Sequence, residues 1–62
     1  MPHVIVQMLE GRTTEQKKAL IEGITKAVTE SCNTTPEAVS VAIFETPRQN
    51  WGKAGIPMSE RK

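Results

Sequence analysis

The second residue of the chain, Pro2, carries the chemical option that no other side chain here offers. Removal of Met1, usual before a small residue, would leave Pro2 with a free secondary amine. A free α-amino group titrates at about 7.7–8.0 in simple peptides, whereas lysine sits near ~10.4. An apolar pocket beside a cation would disfavour the charged amine and lower its pKa further. Such an amine is a general base suited to neutral pH. Many chains begin Met-Pro without consequence, so this reading needs support from the remaining residues.

Four further residue types bear on chemistry. Arg12 has a planar guanidinium that can hold a carboxylate through two parallel hydrogen bonds. Its plain alternative is a solvated loop arginine, or a partner for Glu10. Trp51 is one of only two aromatic residues and stands in a polar stretch. The plain reading of an indole there is an anchor at a subunit interface. His3 adjoins Pro2, but strand alternation puts it on the Ile5 face, where it reads as structural or partly exposed. Cys32 closes a helical segment and reads as a small apolar residue. His3 and Cys32 are the only soft ligands, and a structural zinc site takes four, so no metal is expected. Nothing resembles a hydrolase triad or a phosphate-binding loop.

The elements that must position these residues are few. Sixty-two residues make a single domain, 1–62, and one of this size buries only about 60% of its unfolded surface. Small domains add disulfides, metals or partner subunits. One cysteine rules out a disulfide within the chain, so self-association is the expected remedy. A net charge of +1 shows no bias toward nucleic acid or a membrane surface. No apolar run approaches 18 residues and no export signal is evident. With one unpaired thiol, this points to the cytoplasm.

His3 to Leu9 reads as a strand, rich in β-branched residues and bounded by Pro2 and Gly11. Val4, Val6 and Met8 share one face; His3, Ile5, Gln7 and Leu9 share the other. Thr13 fits a helix N-cap, with Gln16 completing a capping box. The helix is expected from about Thr14 to Ser31, with Leu20, Ile21, Ile24, Ala27, Val28 and Ser31 as its apolar stripe. Glu22 and Lys26 form a favourable i,i+4 pair on the polar side. Gly23 costs about 1 kcal/mol relative to alanine, which close packing would explain. Asn33 can end the helix in the left-handed conformation, and Pro36 blocks its continuation. Thr35 could cap one further turn starting at Pro36. Val39 to Glu45 is a second strand, with Val39, Val41 and Ile43 on one face and Ser40, Ala42 and Phe44 on the other. Around Trp51-Gly52 and Ala54-Gly55-Ile56 a small hairpin is expected, and Ser59 to Lys62 reads as a frayed end. The fold class is thus α/β (α+β): a βαβ unit with a right-handed parallel crossover and a short C-terminal hairpin. One helix covers one face of a two-stranded sheet. The other face, partly apolar, and both edges would meet water in a monomer.

Three stretches together carry a resemblance: proline directly after Met1, Leu9-Glu10-Gly11-Arg12-Thr13-Thr14-Glu15-Gln16-Lys17, and Asn50-Trp51-Gly52-Lys53-Ala54-Gly55. Over essentially its whole length the chain resembles the 4-oxalocrotonate tautomerase family. The resemblance implies a cofactor-free isomerase on a βαβ fold that dimerises, with short members forming hexamers as trimers of dimers. It implies that Pro2 moves the proton, that Arg12 engages the substrate carboxylate, and that Trp51 lines the pocket, which lies near a subunit boundary. At Ser40 the chain departs from the pattern. The best-known members carry a second arginine there, supplied by a neighbouring subunit to the keto or hydroxyl end of the substrate. Serine donates one hydrogen bond and brings no charge, which puts 2-hydroxymuconate in doubt as substrate. Arg48, eight residues on and beside Trp51, is a candidate replacement; otherwise it is a solvated turn residue.

The expected function is a keto-enol tautomerase acting on a small enol or dienol carboxylic acid, with Pro2 and Arg12 catalytic and Arg12, Trp51, Ser40 and Arg48 around the substrate. Two alternatives stand beside it. One is a proline-dependent dehalogenase or hydratase, which would also want a carboxylate such as Glu10 or Glu45 to activate water. The other is an oligomeric scaffold without activity.

Overall fold

In the computed structural model, which describes residues 1–61, β1 (His3–Leu9) leads through a short connection into α1 (Thr14–Cys32). A 3₁₀ turn at Pro36–Ala38 follows, and then β2 (Ser40–Thr46). β1 and β2 pair in parallel from His3↔Ser40 to Leu9↔Thr46. The expected βαβ unit is therefore present, with β2 one residue later than expected and α1 one residue longer. The helix start is held as its sequence dictates. Thr13 Oγ1 accepts from the Gln16 amide at 3.1 Å, and Gln16 Oε1 accepts from the Thr13 amide at 2.9 Å. Asn33 ends the helix with φ 54° and ψ 54°, where its short polar side chain tolerates the left-handed region.

α1 lies on the face of the sheet formed by Val4, Val6 and Met8. Leu20, Ile24 and Val28 are half-buried, as are Thr25 and Thr29. Ile21, Ala27 and Ser31, expected in the apolar stripe, are exposed instead. A two-stranded sheet is narrower than the stripe, so the stripe's flanks overhang it. Lys17 joins the covered side because its ammonium pairs with Glu45 of β2 at 2.8 Å. This is the only ion pair among the described residues; the expected Glu22–Lys26 pair is not formed. Two long side chains on a solvated flank gain only a few tenths of a kcal/mol from pairing, too little to hold one geometry. Gly23 is not explained by packing within the subunit, because a Cβ there would meet nothing within 4 Å.

The chain beyond β2 forms an arm. A 3₁₀ turn at Arg48–Asn50 precedes the antiparallel pair β3 (Gly52–Lys53) and β4 (Ile56–Pro57). Ala54 and Gly55 connect them, both at positive φ (56° and 80°), the backbone that a two-residue hairpin requires. The end of the arm is not frayed as expected. Met58–Glu60 is a 3₁₀ turn, and the Arg61 guanidinium donates to the Lys53 carbonyl at 3.2 Å. Lys62 lies outside the described residues. Thr35 makes no side-chain cap at the turn it precedes.

The subunit does not close a core of its own. Among the described residues no hydrophobic side chain is fully buried, and Ile5 and Phe44 are each 55% exposed on the sheet face away from α1. The accessible surface is 4875 Å², against roughly 4,000 Å² for a compact monomer of this mass. The radius of gyration is 14.7 Å, against about 10.6 Å expected for this length. No helix is long and apolar enough to cross a membrane among the described residues.

Candidate functional site

β1 ends at Leu9, and Gly11 turns the chain away with φ 120°, a region that side-chain-bearing residues avoid. Arg12 is thereby released at the carboxyl end of the sheet, just before the Thr13 cap. The arm returns to the same place. Its 3₁₀ turn brings Arg48 and Trp51 against Met8, Leu9, Glu10, Gly11 and Arg12, and these residues line a cleft of about 350 Å³.

Both arm residues are held by backbone contacts rather than left free. The Trp51 amide donates to the Arg48 carbonyl at 3.3 Å, and the Trp51 carbonyl accepts from the Met58 amide at 2.8 Å. The Arg48 guanidinium donates to the Met58 carbonyl at 3.2 Å. Met58 therefore fixes the Arg48 side chain and the Trp51 backbone relative to the arm. The sequence gives no sign of this role, because a carbonyl acceptor carries no residue-type signature.

Pro2 and Ser40 stand at the other end of the sheet. The Ser40 amide donates to the Pro2 carbonyl at 3.1 Å, and Ser40 Oγ lies 2.7 Å from His3 Nδ1. Seven strand residues at about 3.3 Å each put over ~20 Å between this end and Arg12. Of the five expected site residues, one chain brings Arg12, Arg48 and Trp51 together, and brings Pro2 and Ser40 together. It does not join the two groups.

The electrostatics of the cleft follow from its residues. Arg12 and Arg48 bring two guanidinium groups to an opening whose wall is the half-buried Trp51 with Met8 and Leu9. Glu10 lies on the same rim but makes no ion pair with either arginine. Such a cleft suits a small anion with an apolar body: the guanidiniums bind the charged end, and the indole covers the rest. Glu45, the other carboxylate considered, is on the helix side of the sheet and pairs with Lys17. Among the described residues no three His, Cys, Asp or Glu side chains gather as metal ligands.

Comparison with known proteins places this geometry in a class. A family model described as "Tautomerase enzyme" matches residues 2–61. The 2-hydroxymuconate tautomerase of Comamonas testosteroni is 45% identical over 60 residues, covering 97% of this chain and 95% of its own. The crystal structure of YwhB, a homologue of 4-oxalocrotonate tautomerase, superposes with a TM-score of 0.93 at 41% identity, covering 98% of this chain and 100% of that one. A heterohexameric 4-oxalocrotonate tautomerase from Chloroflexus aurantiacus J-10-fl superposes with a TM-score of 0.94 at 34% identity, with both chains fully covered. The chain belongs to the tautomerase family, as the three sequence stretches implied. It is an isomerase of the 4-oxalocrotonate tautomerase type.

Proposed function

We propose that the chain is a cofactor-free keto-enol tautomerase of a small enol or dienol carboxylic acid. The Pro2 amine, freed by removal of Met1, is its general base. With Met1 attached, Pro2 has an amide nitrogen and no basicity. Met1 is 100% exposed, so nothing in the subunit shields the Met1–Pro2 bond.

The observation that carries this reading is the cleft in which Arg12, Arg48 and Trp51 meet. Arg12 would hold the substrate carboxylate and draw electron density toward it. Pro2 would take the enol hydroxyl proton, electrons would shift along the conjugated chain, and the protonated amine would return that proton to carbon. The reaction is internally balanced and needs no oxidant or reductant. Trp51 and the guanidiniums, brought to Pro2 by a neighbouring subunit, would disfavour its ammonium form.

Because Pro2 and Arg12 lie at opposite ends of β1, this mechanism requires two subunits per site. The exposed Ile5 and Phe44, the surface excess and the extended shape all support a homo-oligomer. We infer a hexamer built as a trimer of dimers, acting in the cytoplasm, with no nucleic-acid or membrane partner.

A second reading draws on Glu10. A carboxylate on the rim beside two arginines is the set that a proline-dependent hydratase or dehalogenase would use to activate water. Halide release from a 3-haloacrylate tests it.

The first experiment is a native mass spectrum of the untagged protein, followed by ketonisation of a 2-hydroxydienoate watched in the ultraviolet. Loss of Met1, six subunits and turnover that Pro2→Ala abolishes are expected. Full turnover by Pro2→Ala would remove the mechanism.

A further inference from the structure

α1 carries a second groove, of about 400 Å³, on the flank where Ile21 overhangs the sheet. Ile21, Thr25 and Thr29 line it, with the exposed Glu22, Lys26 and Glu30 along its rim. Lys18, one turn earlier, extends that rim to a row of four exposed charges: Lys18, Glu22, Lys26 and Glu30. They are spaced by four residues and alternate in sign. Residues four apart lie on one ridge of a helix. Among the described residues, none of the four makes an ion pair within the subunit.

We propose that this row of charges selects the partner seated on the groove: α1 of a second copy, antiparallel and in one register, with chains of non-complementary rows turned away. This rests on the homo-oligomer inferred above, which leaves open which chains join it and through which faces. Turned end for end about Ile24, the row is its own complement. Lys18 comes opposite Glu30 of the partner subunit, and Glu22 opposite Lys26 of the partner subunit. Each contact occurs twice, as a two-fold interface requires. The same register sets Ile21 of the partner subunit opposite Ala27, in the gap between Thr25 and Thr29 that the groove provides. A slip of one turn brings Glu22 against Glu30 and Lys26 against Lys26. Parallel pairing brings every charge against its own kind. Exposed ion pairs are individually weak, so the row acts by fixing register and excluding mismatched chains. A trimer of dimers also needs more than one kind of contact face. Ile5 and Phe44 stand on the sheet face away from α1, and the groove supplies a separate face on the helix side.

The test uses the assembled protein and a variant with all four charges reversed: Lys18→Glu, Glu22→Lys, Lys26→Glu and Glu30→Lys. The reversed row keeps the alternation along the helix and is again its own complement, so this variant should assemble as the wild type does. Against a wild-type row, every contact is between like charges. The two proteins are unfolded together, refolded at low ionic strength and weighed by native mass spectrometry. Hybrids should contain each chain in even numbers, with odd-numbered hybrids depleted roughly tenfold or more against random mixing. A second pair of variants tests complementarity directly. Lys18→Glu with Lys26→Glu makes the row all acidic, and Glu22→Lys with Glu30→Lys makes it all basic. Each alone should give smaller species, and an equal mixture should restore the full assembly with the two chains one to one. Odd and even hybrids in random proportion, an all-acidic protein that assembles as the wild type does, or acidic and basic variants that stay apart when mixed would each overturn the proposal. A monomeric wild type would instead remove the homo-oligomer on which it rests.

Discussion

Pro2 and Arg12 stand at opposite ends of one strand, Pro2 just before His3 and Arg12 three residues past Leu9. Neither can reach the other within a subunit. A site using both is built between copies, and subunit mixing tests this directly. Pro2→Ala and Arg12→Ala proteins should each be nearly inactive alone. Unfolded together, refolded and assembled at equal amounts, they should regain about a quarter of the wild-type activity, since each site draws its two residues from different symmetric copies. No recovery from mixtures that native mass spectrometry shows to be hybrid would mean that both residues act from the same chain.

Arg12 lies open on the cleft rim, whereas Arg48 is tethered to the Met58 carbonyl. Arg12→Ala should therefore cost more than Arg48→Ala. Removing a charge-assisted bond is worth roughly 1.5–3 kcal/mol, so kcat/KM should fall on the order of 10- to 100-fold for Arg12→Ala. The loss should sit in KM if carboxylate binding is uniform, and in kcat if polarisation matters. Arg12→Lys should recover only part of it, because an ammonium cannot make the paired bonds.

Trp51 is expected to act through its apolar surface. Trp51→Phe should keep most of kcat/KM, whereas Trp51→Ala opens the wall beside the base and should lower it severalfold or more. Equal losses in both variants would point instead to the indole N–H as a donor to the substrate.

Phe44 and Ile5 are each 55% exposed on the sheet face away from α1. Fully burying such a side chain contributes about 1.5–3 kcal/mol. A charge there cannot be buried unpaired without a larger cost. Phe44→Glu should therefore shift native mass spectra toward smaller species and remove activity along with assembly. An intact, active Phe44→Glu oligomer would show that this face is not an interface.

The Thr13 hydroxyl accepts from the Gln16 amide at 3.1 Å. Thr13→Ala should cost about 1 kcal/mol of stability, read from denaturant midpoints at one fixed protein concentration because association contributes to apparent stability. Thr13→Ser should be close to wild type.

Much of this protein follows from local chemistry written along the chain. A run of β-branched residues, Val4, Ile5 and Val6, between Pro2 and Gly11 made β1 legible to the residue, and Thr13 with Gln16 announced the start of α1 through bonds spanning three positions. Asn33 and Pro36 marked its end for the same local reason. The candidate residues Pro2, Arg12, Trp51, Ser40 and Arg48 could be named from residue type and resemblance. Their grouping could not, because it depends on register and on where the arm returns. Parallel pairing from His3↔Ser40 put an imidazole on the serine hydroxyl. A glycine at φ 120° and a turn at Arg48 put two guanidiniums and an indole in one cleft. The length of β1 kept Pro2 out of that cleft. Those are distances between residues far apart in sequence, and only the packed chain sets them.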